Sequence, residues 1–442
     1  MRGRVRGRFL DTRPLRHSPT YRDLWIGISV AQLGVQIANV AVLTQVWELT
    51  GSPVGTGAIG LATGVPMVLF GLLGGTLADA VDRRTLVRAT AAGQLLSSVG
   101  LFSQALAGNR NVVLLLALVA AGASCNALGA PARRAYPVRL LPSDQIASGL
   151  ALASISFQTA MLAGPAVAGL IIARWDLPAA YAVQAVATTV SMLTVLRLPS
   201  MRPQGVAADG GKRRPQRGGW RIVLRRPKLW GSMATDLSAT LLAMPVALFP
   251  LVNEVRFGGN PQTLGLFLSA VAVGGITAGL FSGTVTRWRR AGLVQLVAAG
   301  IWGLALAGFG LAGPLWLALG CLAVAGAADT ASVVTRGALV QLETPDAYRG
   351  RVTSVEHVIG VAGPELGNFR GGLLASATSV PFALVFGGLS AAVAVAVVAA
   401  TNAPLRGYRT PPPAGRTAAT GSFGATAEER RELSGDGRGE RE

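Results

Sequence analysis

The chain has 442 residues, of which 51% are hydrophobic, only 14% are charged and 57 are glycine. A soluble globular domain usually has a larger charged share, so this composition excludes an ordinary soluble fold and indicates an integral membrane protein. The formal net charge of +19 is typical of a nucleic-acid-binding protein, but the positions of these charges along the chain argue against that function.

Apolar runs recur along the chain, and about 20 helical residues are enough to cross the roughly 30 Å hydrocarbon core of a bilayer. We therefore predict an all-α integral membrane fold with twelve transmembrane helices. The predicted spans are residues 24–49, 54–78, 85–107, 112–132, 146–173, 179–196, 229–253, 263–286, 291–311, 315–335, 352–376 and 380–400.

A linker rich in Pro, Gly and Arg divides the spans into two groups of six. Its composition excludes a folded catalytic module and allows one short surface helix around Trp220 to Leu224. We predict two six-helix bundles with a basic N-terminal tail and a disordered C-terminal tail. The boundaries are residues 1–22 for the first tail, 23–197 and 229–401 for the bundles, 198–228 for the linker and 402–442 for the second tail.

The basic residues fall on alternate loops. The segment from Arg2 to Arg22 is rich in arginine, whereas the loops on the other side hold only Arg110, Arg174 and Arg256. Positive loops remain in the cytoplasm, so both termini and the linker are predicted there, in a multi-pass protein of the cell membrane. This distribution also argues against nucleic acid as a partner and makes the lipid bilayer the expected one.

Several amides lie inside the predicted spans of the first half. A buried amide either bonds a neighbouring helix or faces a wet cavity, and the sequence leaves both readings open. The candidates for a substrate cavity are Gln36, Asn39, Asn126 and Gln158.

The stretch GLLGGTLADAVDRR connects the second and third spans. Its small residues allow close helix packing, and its acids stand near two arginines with which they can form specific charge-assisted bonds. We predict a conformational latch here, although a solvated basic loop would have a similar composition. The latch residues are Gly75, Asp79, Asp82, Arg83 and Arg84.

This stretch resembles the G-x-x-x-D-x-x-x-R-[KR] signature of the major facilitator superfamily of transporters, and Gly75, Asp79, Arg83 and Arg84 fill it in order. Asp82 before the basic pair, and GPELGNFRGG in the second half, resemble drug and siderophore exporters of the enterobactin-exporter type. The resemblance implies two pseudo-symmetric bundles that expel a small molecule in exchange for protons. A proton-coupled importer or a facilitator would use the same fold, and a receptor or membrane enzyme is a weaker alternative.

The two halves repeat weakly, since GPAVAG in the fifth span corresponds to GPELGN in the eleventh. Gly164 with Pro165, and Gly363 with Pro364, are predicted to kink these helices, because proline breaks the backbone hydrogen-bond ladder. The first pair partly resembles the G-P-x-x-G-G element of antiporters. A kink that serves packing alone is an equally good interpretation.

Charged side chains inside a span cost about 2.5 to 3.5 kcal/mol each on insertion scales, so each is a candidate for function. All five lie in the second half, and they are Asp236, Asp329, Glu356, Glu365 and Arg370.

We predict that Glu365 carries a proton and that movement of Arg370 switches its affinity. The alternative is a structural ion pair between these two residues. For Asp236 and Asp329 the alternative is bonding to hydroxyl or backbone groups, and Glu356 is expected near the cytoplasmic interface.

The remaining motifs point away from catalysis. His17 and His357 are isolated, so no metal site is expected, and the two lysines do not form a phosphate-binding loop. We therefore expect neither an enzyme nor a cofactor. The expected partners are a small-molecule substrate, protons and lipid, and the expected assembly state is a monomer.

Overall fold

A computed structural model describes residues 11–142, 145–201, 219–280, 290–344 and 348–409. The side chains of a few helical residues, among them those of Gly75 and Asp79, also lie outside this description. Residues 1–10 of the first predicted tail, 202–218 of the predicted linker and 410–442 of the second predicted tail lie outside this description. Within the described ranges the chain is helical and contains no strand.

Six helices make up the first half. The polar residues Ser18, Ser52, Asp82 and Asn111 cap the amino ends of four of them, since a side-chain oxygen satisfies the free N–H groups of a first turn. The helices are α1 (Arg13–His17), α2 (Pro19–Thr50), α3 (Pro53–Ala80), α4 (Arg83–Leu106), α5 (Val112–Leu140) and α6 (Ile146–Leu196).

The second half begins with α7, a short helix at the place where the linker was expected to contain one. The elements are α7 (Gly219–Arg225), α8 (Pro227–Ala243), a 3-10 turn (Val246–Leu248), α9 (Phe249–Phe257), α10 (Pro261–Leu280), α11 (Ala291–Leu311), α12 (Leu315–Glu343), α13 (Arg349–Ala377), α14 (Val380–Thr401) and α15 (Ala403–Arg406).

The seventh predicted span is broken, not continuous. Helix α8 ends at Ala243 and α9 starts at Phe249, with Pro245 between them. Proline has no N–H to donate, and it pushes the preceding residue, Met244, into an extended conformation. The hydrophobic pattern of the sequence runs through this break and did not reveal it.

Nine helical stretches of the described chain are long and apolar enough to cross a membrane. Predicted spans 5 and 6 are joined in α6, which breaks at Asp176, where φ is 69°. Helices α4 and α13, which contain predicted spans 3 and 11, do not reach this apolarity. The all-α membrane fold is therefore confirmed, whereas the count of twelve spans stays a prediction.

Helices α2 to α6 pack mainly on one another, and so do α8 to α14. The main contacts between the two sets are those of α3 with α13 and of α6 with α10. In the second set, the rings of Phe249, Phe257, Phe267 and Phe309 meet edge to face with centroids 5.5–5.6 Å apart. Such pairs contribute beyond the apolar area that they bury.

Part of the predicted N-terminal tail is docked on the start of α6. Ser148 Oγ donates to the Asp11 carboxylate at 2.9 Å, and Gln145 contacts the His17 ring at 3.0 Å. The neighbouring Arg13 guanidinium holds the pKa of Asp11 well below its usual range. The folded part of the first half thus begins before the first predicted span.

The start of the predicted C-terminal tail is also packed. Asn402 Nδ2 donates to the Pro227 carbonyl at 2.7 Å, and Leu405 is fully buried. The Gly292 N–H donates to the Tyr408 carbonyl at 3.4 Å. Residues 402–409 therefore pack against the second set of helices.

Candidate functional site

The two sets of helices approach closely along α3 and α13. Gly57 and Gly60 lie on the α3 face that meets α13. A Cβ atom would lie 2.5 Å from the Glu365 carbonyl oxygen at Gly60, and 3.1 Å from the Asn368 carbonyl oxygen at Gly57. The distance at Gly60 is too short for a side chain and the one at Gly57 would require the helices to shift, so glycine allows the two backbones to touch.

Helices α6 and α10 form the second close approach. A Cβ at Gly265 would lie 2.3 Å from the Pro165 carbonyl oxygen, and one at Gly169 would lie 2.7 Å from that of Pro261. Ser269 Oγ on α10 donates to the Leu162 carbonyl of α6 at 2.9 Å. The halves are therefore joined by two pairs of helices.

We call the side where α2 begins and α14 ends the terminal face, and the other side the opposite face. Two further polar bonds between the halves lie near the opposite face. Thr56 Oγ1 donates to the Ala247 carbonyl at 2.7 Å, and Trp47 Nε1 donates to the Glu254 carboxylate. Trp47, near the end of α2, thus links the two halves.

Toward the terminal face α3 and α13 separate around a cavity of about 180 Å³. A Cβ added at Gly71 of α3 would meet no atom within 4 Å, in contrast to one at Gly57 or Gly60. The cavity is lined by Met67, Val68, Gly71, Arg134, Thr353, His357, Val358 and Val361. Helices α3 and α13 therefore touch near the opposite face and are separated by this cavity nearer the terminal face.

Glu365 lies at the boundary between the halves. Its side chain packs on Gly64 of α3, where a Cβ would lie 2.6 Å from the Glu365 Cβ. Its carboxylate also lies against α3, since a Cβ at Gly60 would be 3.1 Å from Glu365 Oε2. A carboxylate of the second half therefore contacts the first half directly.

Arg370 does not face Glu365. Its guanidinium donates to the Leu242 carbonyl near the end of α8. No ion pair joins Arg370 to Glu365 among the described residues, because Arg370 is turned toward α8 and the neighbouring α14. The structure therefore does not bring together the two members of the predicted switch.

The other three acids gather around an arginine that the sequence pattern placed in a loop. The Arg336 guanidinium pairs with Asp236 and lies 3.4 Å from the Glu356 carboxylate. Asp329, two turns earlier on α12, lies near enough to interact electrostatically with Asp236 and Arg336. Asp236 and Arg336 are only 6% and 7% exposed, so this charge cluster is deeply buried.

Sequence reasoning missed Arg336 because it ended the tenth span at residue 335. Helix α12 continues to Glu343, so Arg336 lies within the helix and on its buried face. The same error affected the fourth span, where α5 continues through Pro137 to Leu140. The seven-residue spacing from Asp329 to Arg336, which is close to two helical turns, is the signal that would have found the arginine.

The amides of the first half have different surroundings. Asn39 Nδ2 donates to Gln36 Oε1 at 2.9 Å, and Asn39 is exposed. The Arg133 guanidinium donates to Asn126 Oδ1 at 2.6 Å. Gln158 is half-buried on α6. Three of the four candidates thus take part in polar pairs.

The predicted kink residues are points of close packing. A Cβ at Gly164 would lie 2.5 Å from the Gln36 Cβ, and one at Gly363 would lie 2.4 Å from Thr240 Oγ1. The backbone stays helical at both Pro165 and Pro364. Within α6, the backbone leaves the helical region at Asp176 and not at Pro165.

Asp82 ties the start of α4 to the segment that follows α6. Its carboxylate accepts from the N–H groups of Arg84 at 2.9 Å and Met201 at 3.0 Å, and from Ser200 Oγ at 2.6 Å. The Arg83 N–H donates to the Met201 carbonyl at 3.1 Å. This part of the predicted latch is thus bonded within the first half.

Comparison with known proteins identifies this arrangement. The profile of the transmembrane secretion effector family matches residues 11–411. The chain belongs to this family. It is a membrane transporter of the major facilitator superfamily, as the motif around Gly75 and Asp79 predicted.

Curated relatives of the transporter include the enterobactin exporter of Citrobacter koseri. That protein is 25% identical over 402 residues, which cover 90% of this chain and 95% of the relative. The enterobactin exporter of Shigella flexneri is 26% identical over 375 residues, covering 84% and 89% of the two chains. The similarity therefore extends over both sets of helices.

Solved structures support the same fold for the transporter. The D323A mutant of the nucleoside transporter NupG superposes with a TM-score of 0.69 at 13% identity, covering 86% of this chain and 99% of that chain. A bacterial homologue of the human lysosomal transporter Spinster, inward-facing and unoccupied, superposes with a TM-score of 0.67 at 15% identity, covering 91% and 100%.

The role of Asp79 in the transporter stays a prediction, since its side chain lies outside the described part of the chain. We expect Asp79→Asn to impair transport without lowering the yield of folded protein, because a latch stabilises one conformation and not the core. The measurement is the transport rate at matched expression. Transport by Asp79→Asn at the rate of the unmodified protein would contradict the latch.

Asp82→Ala is the control for this prediction. Asp82 caps α4, so its loss should lower the free energy of unfolding by about 1 kcal/mol. If the melting temperature falls in Asp82→Ala and is unchanged in Asp79→Asn, Asp82 stabilises the fold, whereas Asp79 acts on the conformational change.

Proposed function

We propose that the protein is a monomeric, proton-coupled exporter of a small molecule such as a siderophore, a drug or a secondary metabolite. It works by alternating access, in which the two sets of helices rock about a central site. The observation that carries the proposal is the contrast between the faces. Helices α3 and α13 touch near the opposite face, while a cavity lined by α3, α5 and α13 separates them nearer the terminal face.

The distribution of charge supports a cytoplasmic terminal face. Arg13, Arg16, Arg22 and the arginines of α7 belong to this face, whereas few basic residues lie in the opposite loops. With this orientation the structure corresponds to an inward-facing state. A substrate from the cytoplasm would then reach the cavity beside Arg134 and His357.

The position of Glu365 supports proton coupling. Its carboxylate lies in the contact between α3 and α13 that must separate when the opposite face opens. The solvation of this group therefore differs between the two states, and a carboxyl group whose solvation changes also changes its affinity for protons. Arg370 does not take part in this switch, because it is bonded to the α8 backbone.

The direction of transport rests on the relatives, which are named enterobactin exporters. Uptake and facilitated diffusion use the same fold, so transport in both directions must be measured. Proteoliposomes with a single protein orientation, an imposed pH gradient and enterobactin as the probe allow this. We expect enterobactin to accumulate on the acidic side that corresponds to the cell exterior.

Equal enterobactin fluxes with and without the pH gradient would show a facilitator, and accumulation in the cytoplasmic direction would show an importer. Liposomes that contain the Glu365→Gln variant are the matched control, because this variant should not respond to the pH gradient. If several siderophores and drugs all fail to cross in the presence of the protein, the proposed substrate class is wrong.

A further inference from the structure

The cavity between α3, α5 and α13 is built from residues of both halves. Its walls are mostly apolar, and its polar side chains are Arg134 of the first half and Thr353 and His357 of the second. A cavity of about 150 Å³ in another protein holds one benzene ring. The volume of about 180 Å³ found here therefore accommodates a small ring with an attached polar group.

The lining of this cavity contains no acid among the described residues. Along α13, Thr353, His357 and Val361 are spaced four residues apart and share the face toward the cavity. Glu356 lies on another face, where its carboxylate is 3.4 Å from the Arg336 guanidinium. Helix α13 thus directs Glu356 to the charge cluster and leaves basic and neutral side chains on the cavity side.

Arg134 is the permanently charged group of the cavity. Its side chain is exposed, and within the described ranges no carboxylate pairs with it. The neighbouring Arg133 is bonded instead to Asn126 Oδ1 at 2.6 Å. A guanidinium stays ionised in proteins and presents a planar set of N–H donors that matches a carboxylate. Arg134 is therefore able to bind an anion that enters the cavity.

His357 lies across the cavity, on the wall that belongs to the second half. Its side chain is exposed, and in the described part of the chain its ring makes no hydrogen bond. An imidazole has at least one N–H donor whether it is neutral or protonated. Arg134 and His357 therefore offer hydrogen-bond donors from the two halves to one cavity.

We propose that this cavity binds the anionic group of the exported molecule between Arg134 and His357. The inference rests on the proposed function as an exporter and names its substrate class, a small organic anion whose acidic group is attached to an apolar ring. The acidic group accepts hydrogen bonds from both donors. The ring packs on the apolar wall formed by Met67, Val68 and Val361.

A bound anion also acts on the transport cycle. Because its two donors belong to different halves, an anion that bonds both draws α5 and α13 together at the terminal face. Binding of the substrate therefore favours closure of that face, since a ligand shifts the protein toward the state that it binds better. Closure of the terminal face is the step that a loaded exporter must take from an inward-facing state.

The anion site and the proton site are separate. Glu365 lies on α13 more than two turns beyond His357, which is about 12 Å along the helix axis. This distance exceeds the screening length of about 8 Å at physiological ionic strength, so an ionised Glu365 repels an anion at His357 only weakly. The substrate can thus bind after Glu365 has released its proton to the cytoplasm, as export in exchange for protons requires.

The test measures binding to the purified full-length protein in detergent at neutral pH. Benzoate, benzamide and benzamidine are the probes, because they share one ring and nearly one shape but are anionic, neutral and cationic. Saturation-transfer NMR gives their dissociation constants. We expect benzoate to bind at least about tenfold more tightly than benzamide, as one charge-assisted hydrogen bond allows, and benzamidine to show no saturable binding.

Arg134→Gln should weaken benzoate binding by about tenfold and leave benzamide binding unchanged. Arg139→Gln is the matched control, because Arg139 is also an exposed arginine of α5 but does not line the cavity. This control should bind benzoate as the unmodified protein does. His357→Leu should also weaken benzoate binding, and His357→Gln, which keeps an N–H donor, should restore part of it.

A cysteine at Gly71 locates the bound probe. Gly71 lines the cavity, and a Cβ there meets no other atom within 4 Å. In Gly71→Cys protein with both native cysteines replaced by serine, benzoate should slow labelling by a maleimide, and benzamide at the same concentration should not. Gly313→Cys, at another position with open space, is the reference whose labelling benzoate should not change.

An anionic lipid headgroup offers the same chemistry as an anionic substrate. Short-chain phosphatidylglycerol is therefore added in competition with benzoate, and we expect it not to displace the probe. If phosphatidylglycerol displaces benzoate from the unmodified protein and slows labelling of Gly71→Cys, the cavity is a lipid site and the inference is wrong.

Equal affinities for benzoate and benzamide in the unmodified protein would overturn the inference. So would an Arg134→Gln variant that binds benzoate as tightly as Arg139→Gln does. If Arg134→Gln does not fold, the decision rests on the three probes and on the labelling of Gly71→Cys. None of these measurements involves transport, so a failure of the proposed exporter function, which is judged in proteoliposomes, remains distinguishable from a failure of the anion site.

Discussion

Replacement of Glu365 by glutamine is expected to abolish transport driven by a pH gradient and to leave substrate binding intact. The side chain packs on Gly64 of α3 at the boundary between the halves. Glutamine has nearly the same shape and preserves this packing, but it cannot release a proton. The site is then fixed in a neutral state, so substrate exchange without a gradient should continue in proteoliposomes.

Asp329→Asn is the matched control for this experiment, because it also removes one carboxylate from the second half. Asp329 belongs to the charge cluster around Arg336. Asp236→Asn is a less clean control, since Asp236 is paired with Arg336 and its loss also changes the charge balance of the core.

Three outcomes are informative. If Glu365→Gln alone loses gradient-driven transport, Glu365 is the carrier. If Glu365→Gln retains it and Asp329→Asn loses it, the carrier belongs to the cluster. If all of the variants concentrate substrate normally, coupling through these carboxylates is wrong and the protein is a facilitator or uses another energy source.

Replacement of Arg336 by leucine is expected to destabilise the protein strongly. Arg336 is only 7% exposed, and its guanidinium faces the carboxylates of Asp236 and Glu356. Without it, buried acids lose their counter-charge. Removal of one partner from a buried ion pair typically costs about 3 to 5 kcal/mol. We expect a clear fall in the melting temperature of the purified protein in detergent, measured by thermal unfolding.

Arg225→Leu is the control, because Arg225 is exposed on α7. A surface substitution of this kind should change the free energy of unfolding by less than about 0.5 kcal/mol. The double variant Asp236→Asn with Arg336→Gln should be more stable than Arg336→Leu, because it removes both charges of the pair. Equal melting temperatures for Arg336→Leu and Arg225→Leu would show that the cluster does not support the fold.

The membrane character and the family of this protein follow from its amino-acid sequence alone. Each side chain has its own free energy of transfer from water into hydrocarbon, which does not depend on its partners in the fold. The apolar runs alone therefore predict that the chain spans a bilayer. The motif from Gly75 to Arg84 is also local, because all of its residues lie in the single connection between the second and third spans. Charged residues inside the apolar runs can be recognised from the sequence in the same way, and they placed the candidates for proton coupling in the second half.

The pairing of those charges was decided only by the tertiary structure. Arg336 entered the cluster because α12 extends past the end of its apolar pattern, and Arg370 turned to the α8 backbone because Pro245 breaks that helix. Glu365 meets α3 because the glycines at Gly60 and Gly64 allow two distant helices to touch. Such contacts depend on how helices far apart in sequence pack together, and the transfer free energy of a single residue carries no information about its partner.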